Sequence, residues 1–136
     1  MTHQQAPDLE ALTVRFFDAL DRRDYATCVG LLALDGVWER QDGSVRGHEA
    51  VLRALNARAA DRRTCHVVTN LFVTMIDTSH ARVDFILTAY DGHEGPDGSA
   101  PAARLAGIRR CVDEMTLTSE GWRIAHKSSE AILKGA

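Results

Sequence analysis

The sequence predicts an α+β fold in which amino-terminal helices pack on a bent antiparallel sheet. Three observations carry this. Up to about residue 60, apolar residues recur at three- and four-residue spacing, the helical period. Beyond residue 64, long runs alternate with the period of two expected of strands. Turn-forming segments separate those runs and join consecutive strands into a meander.

The first helix starts near Asp8, where Pro7 and Asp8 suit a helix entry and Glu10 favours the positive end of the dipole. Leu9, Leu12, Phe16, Ala19 and Leu20 form its apolar stripe, and Arg22 and Arg23 follow at the negative end. Asp24 can cap a second, short helix that turns Cys28, Val29, Leu31 and Leu32 inward. Val37-Trp38-Glu39 reads as a strand, Asp42-Gly43 as a hairpin turn and Val45-Arg46 as its partner. Gly47 opens a third helix, with Val51, Leu52, Leu55 and Ala59 on one side.

The sheet follows. Over 64–76, Cys65, Val67, Leu71, Val73 and Met75 fall on one face, and His66, Val68, Asn70, Phe72 and Ile76 on the other. Ala81 to Tyr90 sets Val83, Phe85 and Leu87 opposite Asp84, Ile86 and Tyr90. Residues 91–103 read as a mobile Gly/Pro/Asp loop, Arg104 to Leu117 as a third long strand, and Trp122 to about Ala131 as the fourth. Apolar residues on both faces require two covers. The helices supply one, and a second copy of the chain is the simplest candidate for the other, so a homodimer through the outer sheet face is expected.

A chain of 136 residues lies within the range of one domain and can bury a core without metal or disulfide staples. Its net charge of −3 gives no basic footprint for nucleic acid or anionic lipid. Cys28, Cys65 and Cys111 are odd in number and form no C-x-x-C pair, which fits inert thiols in a reducing compartment. The start lacks a signal-peptide pattern, and no run of about 18 apolar residues exists to span a membrane. A cytoplasmic protein is expected. His48-Glu49 begins like a zinc helix, but Leu52 stands where the second histidine belongs. The loop at His93, Glu94 and Asp97 lacks calcium-loop spacing, and neither a nucleophile elbow nor a phosphate loop occurs. No metal and no cofactor are expected.

The order helix, helix, strand, helix, meander resembles the nuclear transport factor 2-like fold, and within it the SnoaL-like branch. The segments FFDALDRRDYATCVGLLA followed by VWE, then RGHEAV, TCHVVTN and EGWRIAHK carry the resemblance, from about Leu9 to Lys127. It implies one domain over 1–136, a strongly curved sheet forming a cone, and three helices packed on its concave face around an apolar pocket. Proteins with this fold include scytalone dehydratase, ketosteroid isomerase, polyketide cyclases and the non-catalytic β subunit of ring-hydroxylating dioxygenases. Where they catalyse, a few polar groups in the pocket move protons.

His66 is the first candidate, because a neutral imidazole on an apolar strand face can shuttle protons near pH 7. It matches the histidine of the T-[RC]-H-x-x-x-N strand in SnoaL-like dehydratases, which implies a catalytic role; its other reading is a satisfied core histidine. The resemblance pairs Asp21 with it, as a carboxylate that fixes the imidazole tautomer; its other reading is a solvated helix end. The same pattern has a tyrosine where this chain has Phe16, so a phenol donor is missing. Asp84 and Asp113 sit among apolar strand neighbours, where a carboxyl with a raised pKa can act as acid or base; otherwise they pair with Arg82, Arg109 or Arg110. Alternation places His126 with Trp122 and Ile124 on the apolar face, whereas the family's G-W-[RK]-I-x-x-R ending points to Lys127, unless a bulge shifts the register. Phe17, Trp38, Phe72 and Tyr90 are candidates to line the pocket.

The expected function is cofactor-independent acid–base chemistry on a hydrophobic cyclic small molecule: dehydration, isomerisation or cyclisation. The alternatives are a small-molecule-binding domain without turnover and an interaction subunit resembling the dioxygenase β chain.

Overall fold

The computed structural model describes residues 8–135. Helix α1 (Leu9–Asp21) starts where Asp8 accepts a hydrogen bond from the Ala11 amide, and α2 (Tyr25–Gly30) where Asp24 accepts from Thr27. Strands β1 (Leu32–Arg40) and β2 (Gly43–Arg46) form the hairpin, and α3 (His48–Asn56) follows Gly47. Four long strands complete the chain: β3 (Arg62–Met75), β4 (His80–His93), β5 (Arg104–Thr118) and β6 (Gly121–Lys134). The expected loop at 91–103 is shorter at its start, since β4 continues to His93.

One six-stranded, open, curved sheet results, in the order β2-β1-β6-β5-β4-β3. All neighbours are antiparallel except β1 and β6, which run parallel, with Val37 opposite His126 and Trp38 opposite Lys127. Helix α1 lies against β3, β4 and β6, while α3 lies against β1 and β2. The core sits between helices and concave face: Leu9, Phe16, Leu20, Cys28, Val51, Leu55, Val83, Phe85, Met115 and Ile124 are buried there. Burying such side chains contributes roughly 1.5–3 kcal/mol each, which is what holds the helices in the cone.

Of the register shifts in the sheet, two decide where the candidates Phe72 and His126 face. On β3, the register shifts between Thr69 and Phe72, and Asn70 takes a left-handed φ of 56°. On β6, His126 opposes Glu114 while Ile124 opposes Met115, so Ala125 is an extra residue. Each extra residue moves the following side chains to the other face. Phe72, expected beside His66, therefore emerges on the outer face, 67% exposed opposite Asp84. His126, expected with Ile124, also turns outward, and Lys127 takes the inward position instead.

Candidate active site

Between α1 and the concave face lies a cavity of about 450 Å³. Phe17 and Leu20 from α1, Trp38 from β1, and Phe85 and Leu87 from β4 supply its apolar wall. His66 from β3, Asp113 and Arg109 from β5, and Lys127 from β6 bring polar groups to it.

The end of α1 positions Asp21. After Arg22, Arg23 adopts a φ of 60°, and its guanidinium donates to the carbonyls of Ala59 and Arg62, tying the helix end to the start of β3. Asp21 thereby meets β3 side-on. Its Oδ2 accepts from the His66 amide (2.8 Å), and its Oδ1 accepts from Thr64 Oγ1 (2.8 Å) and lies 2.6 Å from His66 Nδ1. A carboxylate only accepts hydrogen bonds, so the proton of this contact is on Nδ1, and in the neutral imidazole the lone pair is on Nε2. Among the described residues Nε2 has no hydrogen-bond partner, and the ring stands 5.2 Å from Phe17, centroid to centroid. Thr64 in turn accepts from Arg58, which also bonds Leu20 O and the Tyr25 hydroxyl. Thr64 lies two residues before His66 on the same strand face, so alternation was the signal for it; Arg58 had none.

A second polar pair lies beyond Phe17. Lys127 Nζ donates to both oxygens of Asp113 at 2.9 Å, and Thr13 Oγ1 donates to Oδ2 at 2.8 Å. Lys127 is 4% and Asp113 1% exposed. Such a pair is tolerable in low dielectric only because every carboxylate oxygen is hydrogen-bonded. The ammonium also stands 4.2 Å from the Phe16 ring centroid and 4.8 Å from that of Phe17, within cation–π range. Where the family pattern has a tyrosine, the chain thus presents an aromatic face to a lysine.

The sequence candidates divide accordingly. His66, Asp21, Phe17, Trp38, Asp113 and Lys127 lie at the cavity or bond directly to a residue that does. Asp84 does not: it opposes Phe72 on the outer face, where a two-fold hydrogen bond from Arg82 holds its carboxyl below the usual carboxylate range, the reverse of the expected rise. His126 sits outside between Glu39 and Glu114. Tyr90 opposes Cys65 on the outer face, since it alternates with the cavity-facing Ala89. Cys111 faces the cavity with its thiol pushed up to about 11 by burial. Among the described residues, no group of three or more His, Cys, Asp or Glu side chains could hold a metal ion, and no helix is long and apolar enough to cross a membrane.

A family model described as a SnoaL-like domain matches residues 7–128. No curated protein matches the sequence significantly. Among solved structures, a protein of Catenulispora acidiphila in complex with S-DNPA is 19% identical, with a TM-score of 0.75 over 91% of this chain and 90% of its own. A scytalone dehydratase candidate from Novosphingobium aromaticivorans is 13% identical, with a TM-score of 0.76 over 90% of this chain and 80% of its own. A hexachlorocyclohexane dehydrochlorinase from Novosphingobium barchaimii is 14% identical, with a TM-score of 0.76 over 94% and 87%. At these identities the likeness is one of fold.

Proposed function

This chain belongs to the SnoaL-like domain family, and from that premise we propose that it is a cofactor-independent lyase or isomerase acting on a hydrophobic cyclic small molecule. The Asp21–His66 contact, with a free Nε2 at an apolar cavity, carries the reading. His66 Nε2 takes a proton from an acidic carbon of the substrate. The C–H electron pair moves into an adjoining π bond as an enolate forms, or expels a β-leaving group. Asp21 holds the tautomer and stabilises the imidazolium that results. Lys127, whose ammonium has a third N–H beyond the two given to Asp113, stabilises developing negative charge on oxygen. Phe17, lying against both groups, excludes water between them. The scytalone dehydratase candidate and the dehydrochlorinase are named for eliminations, which agrees with this chemistry without assigning it.

The test is solvent-deuterium incorporation into 2-tetralone, followed by NMR. Wild-type protein should accelerate exchange at the carbon next to the carbonyl, and His66→Ala should lower it by roughly 100-fold or more while equilibrium dialysis shows binding retained. Binding without exchange in the wild type, or equal exchange in His66→Ala, overturns catalysis by His66 and leaves a ligand-binding domain.

We also propose that the outer face pairs with a second copy, supported by the exposed Val67, Phe72 and Tyr90 on β3 and β4. Part of this face is charged, through Arg82–Asp84 and Glu39–His126–Glu114, so the apolar contact centres on β3. Sedimentation equilibrium should give a dimer that Phe72→Asp dissociates; a wild-type monomer refutes it. Three free thiols favour a cytoplasmic site.

A further inference from the structure

Most charged side chains around the cavity have a partner of opposite sign, and two on its sheet wall, Arg109 and Lys134, have none among the described residues. Lys127 is neutralised by Asp113, Arg40 faces Asp42 at 3.7 Å, and Arg62 shares Asp91 with Arg104. Arg109 has no carboxylate partner among the described residues. Its Nε donates to the neutral Ser129 Oγ at 2.7 Å and its Nη2 makes a longer contact with Ser129 O at 3.3 Å, so the outer guanidinium edge is left over. Alternation along β5 places Arg109 on the inward face with Cys111 and Asp113. Its cross-strand neighbours there are Leu87 and Ala131, both lining the cavity and both apolar. A half-buried cation on such a wall is partly desolvated and has no counter-charge beside it.

The register gives its place relative to His66. His66 opposes Ala89, Ala89 opposes Gly107, and Arg109 follows two residues later on β5. Arg109 is thus two strands across and two residues along from His66, about 12 Å between backbone positions at normal strand spacing and rise. Side chains reaching into the cavity from these two positions can face opposite ends of a cyclic molecule.

We propose that the cavity takes a cyclic carboxylate, whose carboxyl group is held by Arg109 opposite His66. This names a substrate class for the site proposed above and rests on that reading only for the role of His66. A guanidinium edge presents two N–H groups in the geometry of a carboxylate, and the pairing is strengthened by the apolar surroundings. Lys134, also at the cavity and without a carboxylate partner among the described residues, adds to the attraction for an anion.

The experiment compares naphthalene-2-carboxylate with naphthalene-2-carboxamide by isothermal titration calorimetry at pH 7.5. The two probes share shape and differ in charge. Wild-type protein should bind the carboxylate roughly 10- to 100-fold more tightly, the range of a charge-assisted hydrogen bond. Arg109→Gln should reduce that preference to less than about 2-fold, mainly by weakening carboxylate binding, and Arg109→Lys should restore part of it. His66→Ala should keep the preference, so failure of the proton-transfer reading leaves this result standing. Equal affinities in the wild type, no binding of either probe, or a preference that survives Arg109→Gln overturns the proposal.

Discussion

Replacing Lys127 by methionine tests the most buried polar contact of the site. Asp113 has three hydrogen bonds, of which the substitution removes two, leaving only Thr13 on Oδ2 and nothing on Oδ1. Breaking a buried pair by deleting one partner costs about 3–5 kcal/mol, because the remaining charge is stranded. A loss of about 3–5 kcal/mol is therefore expected at pH 7, a large share of the 5–15 kcal/mol typical of a domain. Methionine keeps most of the volume and stays against Phe16 and Phe17, so cavity formation adds little. The double variant Lys127→Met, Asp113→Leu removes both charges, and Thr13 can turn its hydroxyl to a carbonyl in the preceding turn of α1. It should recover to within about 1–2 kcal/mol of wild type. Urea unfolding followed by Trp38 and Trp122 fluorescence, with circular dichroism as a second probe, supplies the free energies. A single variant within about 1 kcal/mol of wild type, or a double variant as unstable as the single, would refute the claim that this pair is electrostatically matched.

Thr64→Val removes the hydroxyl that links Arg58 to Asp21; it should lower 2-tetralone exchange by roughly 10-fold and shift its pH profile, with Thr64→Ser restoring both, and an unchanged profile would count against a positioning role. Asp91, 8% exposed, has its carboxyl held below the usual range by Arg104 first and Arg62 second, so its contribution is full above the unfolded pKa near 4 and lost as pH falls through the folded value. Asp91→Asn should therefore cost about 1–2 kcal/mol at pH 7 and progressively less below pH 4, measured by urea midpoints; a constant difference would refute the linkage. Cys28 and Cys111, buried and with thiols pushed up to about 11, should react with a disulfide reagent only after unfolding, whereas exposed Cys65 reacts at once; a second fast thiol would contradict the packing of the cavity wall.

The parts of this molecule legible in its sequence are those fixed by local periodicity. The apolar stripe Leu9, Phe16, Leu20 and the entry at Asp8 located α1, and the alternation of Val83, Phe85 and Leu87 identified the inward face of β4. The meeting of Asp21 and His66 is different, because the two are 45 residues apart and no pattern in either segment determines it. Resemblance supplied that pairing, and the Arg23 anchor on Ala59 and Arg62 explains how the chain achieves it. The parallel pairing of β1 with β6 had no local signal, although it brings Trp38 beside Lys127.

The misplaced candidates share a cause with a functional side to it. Period-two reasoning carries a face assignment along a strand only until one residue is inserted, and both insertions occur next to the site. Without the shift at Asn70, Phe72 would share the face of His66; had β6 kept the register of Ile124 without a bulge, His126 and not Lys127 would stand at Asp113. A histidine does not span the distance with three donors as a lysine ammonium does. The irregularity on β6 thus puts a lysine against a buried carboxylate and the Phe16 and Phe17 rings, while leaving the imidazole outside between two glutamates. Sites of this kind are where sequence patterning is expected to fail, because the local rule is broken in order to aim a side chain.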